Sequence, residues 1–192
     1  MPSSKERLEL LESDLKATPQ RISVYHDLPF AIFWYDPGEE KKMRKEIDLL
    51  STRLENEGKK VVRLSLAEIL WDAIKENDDL EYLIEDEKKQ EFAKIQDLIY
   101  TYLTDPDFTP LEDLLADKLN QLDPEKEIAF IVRVASLSPS IYPISQLMGL
   151  MQGKTKVPSV LFYPGCYDGV TGLRYMCIEN RVAVGNYRVK IY

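Results

Sequence analysis

The chain has 192 residues, 44% hydrophobic and 30% charged, which suits one folded domain with a single sizeable core. Its net charge of -8 argues against stand-alone DNA binding, which depends on neutralising phosphates with Lys and Arg. No apolar run approaches the roughly 20 residues of a membrane-spanning helix, and the first residues, MPSSKERLELLESDL, lack the continuous apolar core of a signal peptide, so a cytoplasmic location is expected.

The first predicted element is a helix over residues 5–17. Ser3 or Ser4 caps it, Leu8, Leu11 and Leu15 share one face, and Thr18-Pro19 ends it. AIFWY, residues 31–35, reads as a buried strand. Asp36-Pro37-Gly38-Glu39 follows as a helix start, with Asp36 as N-cap and Pro37 at the first helical position. That helix places Met43, Ile47, Leu50 and Leu54 inward and reaches its end at Gly58. VVRLSL, residues 61–66, is the second strand, so these elements form a β-α-β unit with a parallel pair.

Residues 67–122 form a helical, charged insertion. Ser65 caps its first helix, an acidic stretch over 76–87 interrupts the apolar pattern, and two further helices carry Phe92 to Leu103 and Leu111 to Leu122. IAFIVRV, residues 128–134, is the third strand. A Ser- and Pro-rich loop and a short helix over 144–152 lead to the fourth, VPSVLFYP, residues 157–164, stopped by Pro164 and Gly165. The remaining apolar runs, 173–178, 182–184 and 189–192, predict one or two closing strands antiparallel to the rest. The expected fold is a single α/β domain. It has a mostly parallel sheet of about five strands, helices on both faces and a degenerate P-loop-like layout without Walker motifs.

No catalytic motif is complete. Gly149–Thr155, GLMQGKT, is one residue short of a P-loop, follows a helix and precedes a strand, the reverse of what phosphate binding needs. The position of a true P-loop, after the first strand, holds the acidic Asp36–Glu40. Cys166 lies in a strand-end loop, but a phosphatase-type C-x5-R would need arginine at Gly172, and the nearest is Arg174. The one histidine, His26, precedes the first strand, so no Cys-His pair is evident and zinc is disfavoured. Two cysteines, Cys166 and Cys177, fit free thiols in a reducing compartment.

Two weaker possibilities remain. Asp36 and Asp168 each follow a strand and could share a magnesium ion; as structural residues, Asp36 caps a helix and Asp168 makes a turn before Gly169. Trp34, Tyr35, Tyr142, Tyr163 and Tyr167 cluster near strand ends, and are either an exposed interaction surface or part of the core.

Five segments together resemble the BrxB family of bacteriophage exclusion (BREX) defence systems: Trp34-Tyr35-Asp36-Pro37, IVRVASLSP over 131–139, QLMGLM over 146–151, VLFYPGCYDG over 160–169 and Asn186-Tyr187-Arg188. The VLFYPGCYDG block is the most specific and the 67–122 insertion the least. The resemblance implies a component of a multi-gene phage-defence locus that also encodes a methyltransferase, a large ATPase and PglZ, a member of the alkaline-phosphatase superfamily. It implies a non-catalytic adaptor that needs no cofactor and binds other BREX proteins, PglZ first. The alternative reading is a metal- or nucleotide-binding sensor or enzyme using the loops around Asp36 and Asp168.

Overall fold

The apolar runs of the sequence become neighbouring strands of one sheet. The computed structural model describes residues 2–24, 27–77, 80–89, 92–137, 141–167, 172–179 and 187–192. Five strands lie in the order β2-β3-β4-β1-β6, each pair of neighbours parallel. They are β1 (Phe30–Tyr35), β2 (Lys60–Ser65), β3 (Glu127–Val132), β4 (Ser159–Tyr167) and β6 (Lys190–Ile191). The sixth, β5 (Leu173–Tyr175), pairs antiparallel with the end of β4. The helices are α1 (Ser4–Lys16), α2 (Glu40–Glu55), α3 (Leu66–Asn77), α4 (Leu80–Lys89), α5 (Phe92–Thr104), α6 (Leu111–Leu119) and α7 (Ile144–Leu150).

Side chains alternate across the sheet, and both faces are covered. Ala31 and Phe33 of β1, Phe130 of β3 and Phe162 of β4 point to α1 and α2, where they meet Leu11, Leu15, Met43 and Leu50. Phe30, Ile32, Ala129, Ile131 and Leu161 point the other way, against α3, α5, α6 and α7. Double coverage explains why β1, β3 and β4 are near-continuous apolar runs. β2, at the sheet edge, instead exposes Lys60 and Arg63, charges that discourage pairing with another chain's strand.

Local rules account for the helix ends. Ser3 accepts from the Glu6 N–H at 3.2 Å while the Glu6 carboxylate accepts from the Ser3 N–H at 2.6 Å, a reciprocal cap. Asp36 caps a 3-10 turn (Pro37–Glu39) that leads into α2, by accepting the Gly38 N–H at 2.7 Å. Gly58 takes φ +80° beyond the end of α2, and Ser65 accepts the Glu68 N–H at the start of α3. The GLMQGKT segment is the end of α7: Gly153 takes φ +74°, and Lys154 is paired with Asp113.

Four expectations are corrected. β4 does not stop at Pro164-Gly165. It runs through them to Tyr167, because Pro164 stands where the parallel pairing with β1 ends and the antiparallel pairing with β5 begins. Gly165 is required there: a Cβ would sit 2.4 Å from the Arg174 carbonyl oxygen and 2.7 Å from the Tyr163 ring. The closing strands differ in direction, β5 antiparallel to β4 but β6 parallel to β1. β6 is held by α1, whose Arg7 donates to the carbonyl oxygens of Trp34 (2.6 Å) and Tyr192 (2.8 Å). The acidic stretch contains a helix of its own, α4, which escapes the apolar pattern because Leu83 is its one buried side chain. Finally, Cys166 and Cys177 are not free thiols but a disulfide. The β4–β5 hairpin and the turn at Met176 and Cys177, both at positive φ, bring their Cα atoms to 5.1 Å.

Candidate functional site

In an open parallel sheet, ligands bind beyond the carboxyl ends of the strands, where neighbouring connections leave toward opposite faces. Here β1 leads to α2 on one face and β3 to α7 on the other, with β4 lying between the two strands. A crevice opens at that point, with two adjoining cavities of about 280 Å³ each. Tyr35, Glu40, Arg44 and Arg133 line both. Asp48, Arg63 and Phe162 complete the first; Pro37, Pro164 and Met176 are among those that complete the second.

Three arginines from three elements converge here, and their bonding differs. Arg63, on β2, is paired with Asp48 and donates to the Ser51 hydroxyl at 3.1 Å. Arg44, on α2, gives its Nε–H to Glu40 Oε1 at 2.7 Å. Glu40 Oε2 accepts the Tyr35 hydroxyl, whose pKa burial and this carboxylate raise together. Arg133, directly after β3, is exposed, and its guanidinium has no partner among the described residues. Its backbone takes φ +58°, a conformation that L side chains avoid.

The residues singled out from sequence are distributed differently. Asp36 directly precedes Pro37, which lines the second cavity, and its Oδ1 accepts the Gly38 N–H in capping. Asp168 and His26 lie outside the described residues. Among the described residues no group of three or more His, Cys, Asp or Glu is placed to hold a metal ion. Cys166, bonded to Cys177, has no thiol to act as a nucleophile in this state.

The five aromatics do not form one surface. Tyr35, Tyr142 and Tyr163 are buried. Tyr142 donates to Glu112 at 3.1 Å, and Tyr163 meets Tyr175 and Tyr187 edge-on. Trp34 and Tyr167 are half-buried and stack at 6.4 Å, with the Arg7 guanidinium 3.9 Å from the Trp34 ring centre. Among the described residues, six of the twelve exposed large apolar side chains lie on the insertion: Trp71 on α3, Leu80, Tyr82 and Ile84 on α4, Phe92 and Tyr100 on α5.

Sequence reading passed over Arg44, Arg63 and Arg133 because charges on helices and edge strands are usually solvated. One signal was present: Arg133 interrupts the apolar run IAFIVRV at the carboxyl end of an otherwise buried strand.

No helix among the described residues is long and apolar enough to cross a membrane. No solved structure matches the chain. A curated protein from Bacillus cereus (strain H3081.97), "BREX protein BrxB", is 28% identical over 146 residues, covering 76% of this chain and 74% of its own length. The family model described as BREX protein BrxB matches residues 62–188, from β2 through the insertion, β3, β4 and β5. The chain therefore belongs to the BrxB family and, with it, to the components of BREX defence.

Proposed function

We propose that this protein is a non-catalytic adaptor of a BREX phage-defence complex that binds other BREX proteins, PglZ first, in the cytoplasm. The observation that supports this reading most is the run of exposed aromatic and aliphatic side chains on α3, α4 and α5. Trp71 is 47% exposed, Tyr82 56% and Phe92 63%, with Leu83 the only side chain α4 buries. Large aromatics are enriched among the residues that dominate binding energy at protein interfaces, and helices that bury little of their own apolar surface are suited to bury it against a partner.

The metal- or nucleotide-dependent alternative on Asp36 and Asp168 lacks comparable support: Asp36 Oδ1 caps the Gly38 N–H, and Asp168 lies outside the described residues. The test is co-purification of the tagged chain with the PglZ-type protein of its own locus, followed by sizing. A stoichiometric complex weakened by Phe92→Ala with Trp71→Ala is the expected result. Elution of the chain alone, with every partner present and soluble, overturns the adaptor reading.

A further inference from the structure

We propose that the crevice at the carboxyl ends of β1, β4 and β3 is an anion site for the phosphoryl group of a small molecule, with Arg133 and Arg44 as its donors. This site is independent of the adaptor surface on α3–α5.

Three observations carry it. The first is place: the crevice lies where the connections after β1 and β3 diverge to opposite faces of the sheet, the position at which an open parallel sheet presents a ready-made cavity. The second is charge. The walls hold three guanidinium groups against two carboxylates, Glu40 and Asp48, in a chain whose net charge is -8. Arg63 is already spent on Asp48 and Ser51. Arg44 bonds Glu40 through Nε alone, so its Nη1 and Nη2 have no acceptor among the described residues. Arg133 uses none of its five N–H donors there. The unsatisfied donors of two planar guanidiniums, bordering both cavities, suit the several oxygens of a phosphoryl group, which they can meet by paired hydrogen bonds.

The third is backbone cost. Arg133 is held at φ +58° although glycine would fit that conformation without strain. The Ser136 N–H and hydroxyl both donate to the Arg133 carbonyl, at 3.1 and 2.8 Å, and hold the turn. Met176, which lines the second cavity, also has positive φ, and strained backbone of this kind clusters at functional sites.

The experiment is calorimetric titration of the full chain at constant ionic strength with sodium pyrophosphate and, separately, with ATP. Saturable binding is expected, and Arg133→Gln should weaken it about tenfold, the loss of one charge-assisted contact, with an unchanged melting temperature. A second variant, Arg133→Gly, should lose binding likewise while melting at a higher temperature, which a general loss of fold would not do. Equal affinity for both ligands assigns the site to the phosphoryl group alone; binding of ATP only assigns it to a nucleotide. Absence of saturable binding by either, or affinity that both Arg133 variants retain, overturns the proposal.

Discussion

The two faces of the sheet solve opposite problems. On one, α1 closes over β1 and β6 through buried polar groups. Arg7 is 8% exposed and Asp14 4%. Asp14 is paired with Lys190, accepts the Tyr192 hydroxyl at 2.7 Å and is met by Arg21 at 3.2 Å. Glu12 bridges to Lys16 and Arg53, which ties α1 to α2. On the other face, α3, α4 and α5 leave Trp71, Tyr82, Phe92 and Tyr100 exposed. Buried charges with fixed partners specify one geometry, whereas exposed apolar surface leaves its geometry to whatever covers it. The α1 side, where Leu10 and Leu49 are also exposed, is ordered by buried ion pairs; the α3–α5 side carries the exposed aromatics on which the adaptor proposal rests.

Substitutions can break this contrast at its strongest point first. Arg7→Met would leave the Trp34 and Tyr192 carbonyl oxygens without their charged donor and remove the cation over Trp34. We expect about 3 kcal/mol of destabilisation, read as a lower urea midpoint; a change under about 0.5 kcal/mol would show that the clasp is ornamental. Asp14→Asn follows, at about 2 kcal/mol near neutral pH, since Lys190 and Tyr192 lose a charged acceptor.

The Asp14 pair also sets a pH dependence. Burial alone would raise the Asp14 carboxyl pKa, but the hydrogen bonds from Lys190 and Tyr192 and the charges of Lys190 and Arg21 outweigh it and hold it below the usual value. A folded-state pKa below the unfolded one contributes stability that is complete above the unfolded value, about 3.9, and is lost as pH falls through the folded value. The urea midpoint of the parent should therefore drop more steeply below about pH 4 than that of Asp14→Asn. Parallel curves for the two would remove Asp14 from the acid response.

The other side of the contrast is sharpened by Trp71→Ala with Phe92→Ala. Under the adaptor proposal, binding of a PglZ-type partner should weaken by about 2 kcal/mol, while stability moves by less than about 0.5 kcal/mol per site, as at exposed positions without special contacts. A large stability loss with intact binding would reverse the roles assigned to the two faces. The smallest effect is at the crevice between them: Arg133→Gly should stabilise by about 0.5–1 kcal/mol, by relieving a left-handed backbone at a non-glycine residue.

What could be read from sequence follows from range. The strands AIFWY, IAFIVRV and VLFYP, the helix after Asp36 and the caps at Ser3, Ser65 and Gly58 depend on neighbours a few residues away, and their chemistry is local. α4 was hidden because one buried leucine carries no period. The direction of β6 rests on its pairing with β1, far away in sequence, and on contacts such as that of Arg7 with Tyr192, 185 residues apart. The crevice arginines come from α2, β2 and the turn after β3, and become neighbours only once the sheet order is known. The aromatics near the strand ends could be named but not sorted, because packing alone decided that Tyr142 is 1% exposed while Trp34 keeps an open edge.

The bond between Cys166 and Cys177 closes a covalent ring around β5 and the end of β4, and the ring contains one tryptic site, Arg174. A protease cutting there would add one water to the mass of the chain without releasing a fragment, and only a reductant would then separate the two halves. That pair of masses reads the oxidation state of the hairpin directly, in whatever compartment the protein is recovered from.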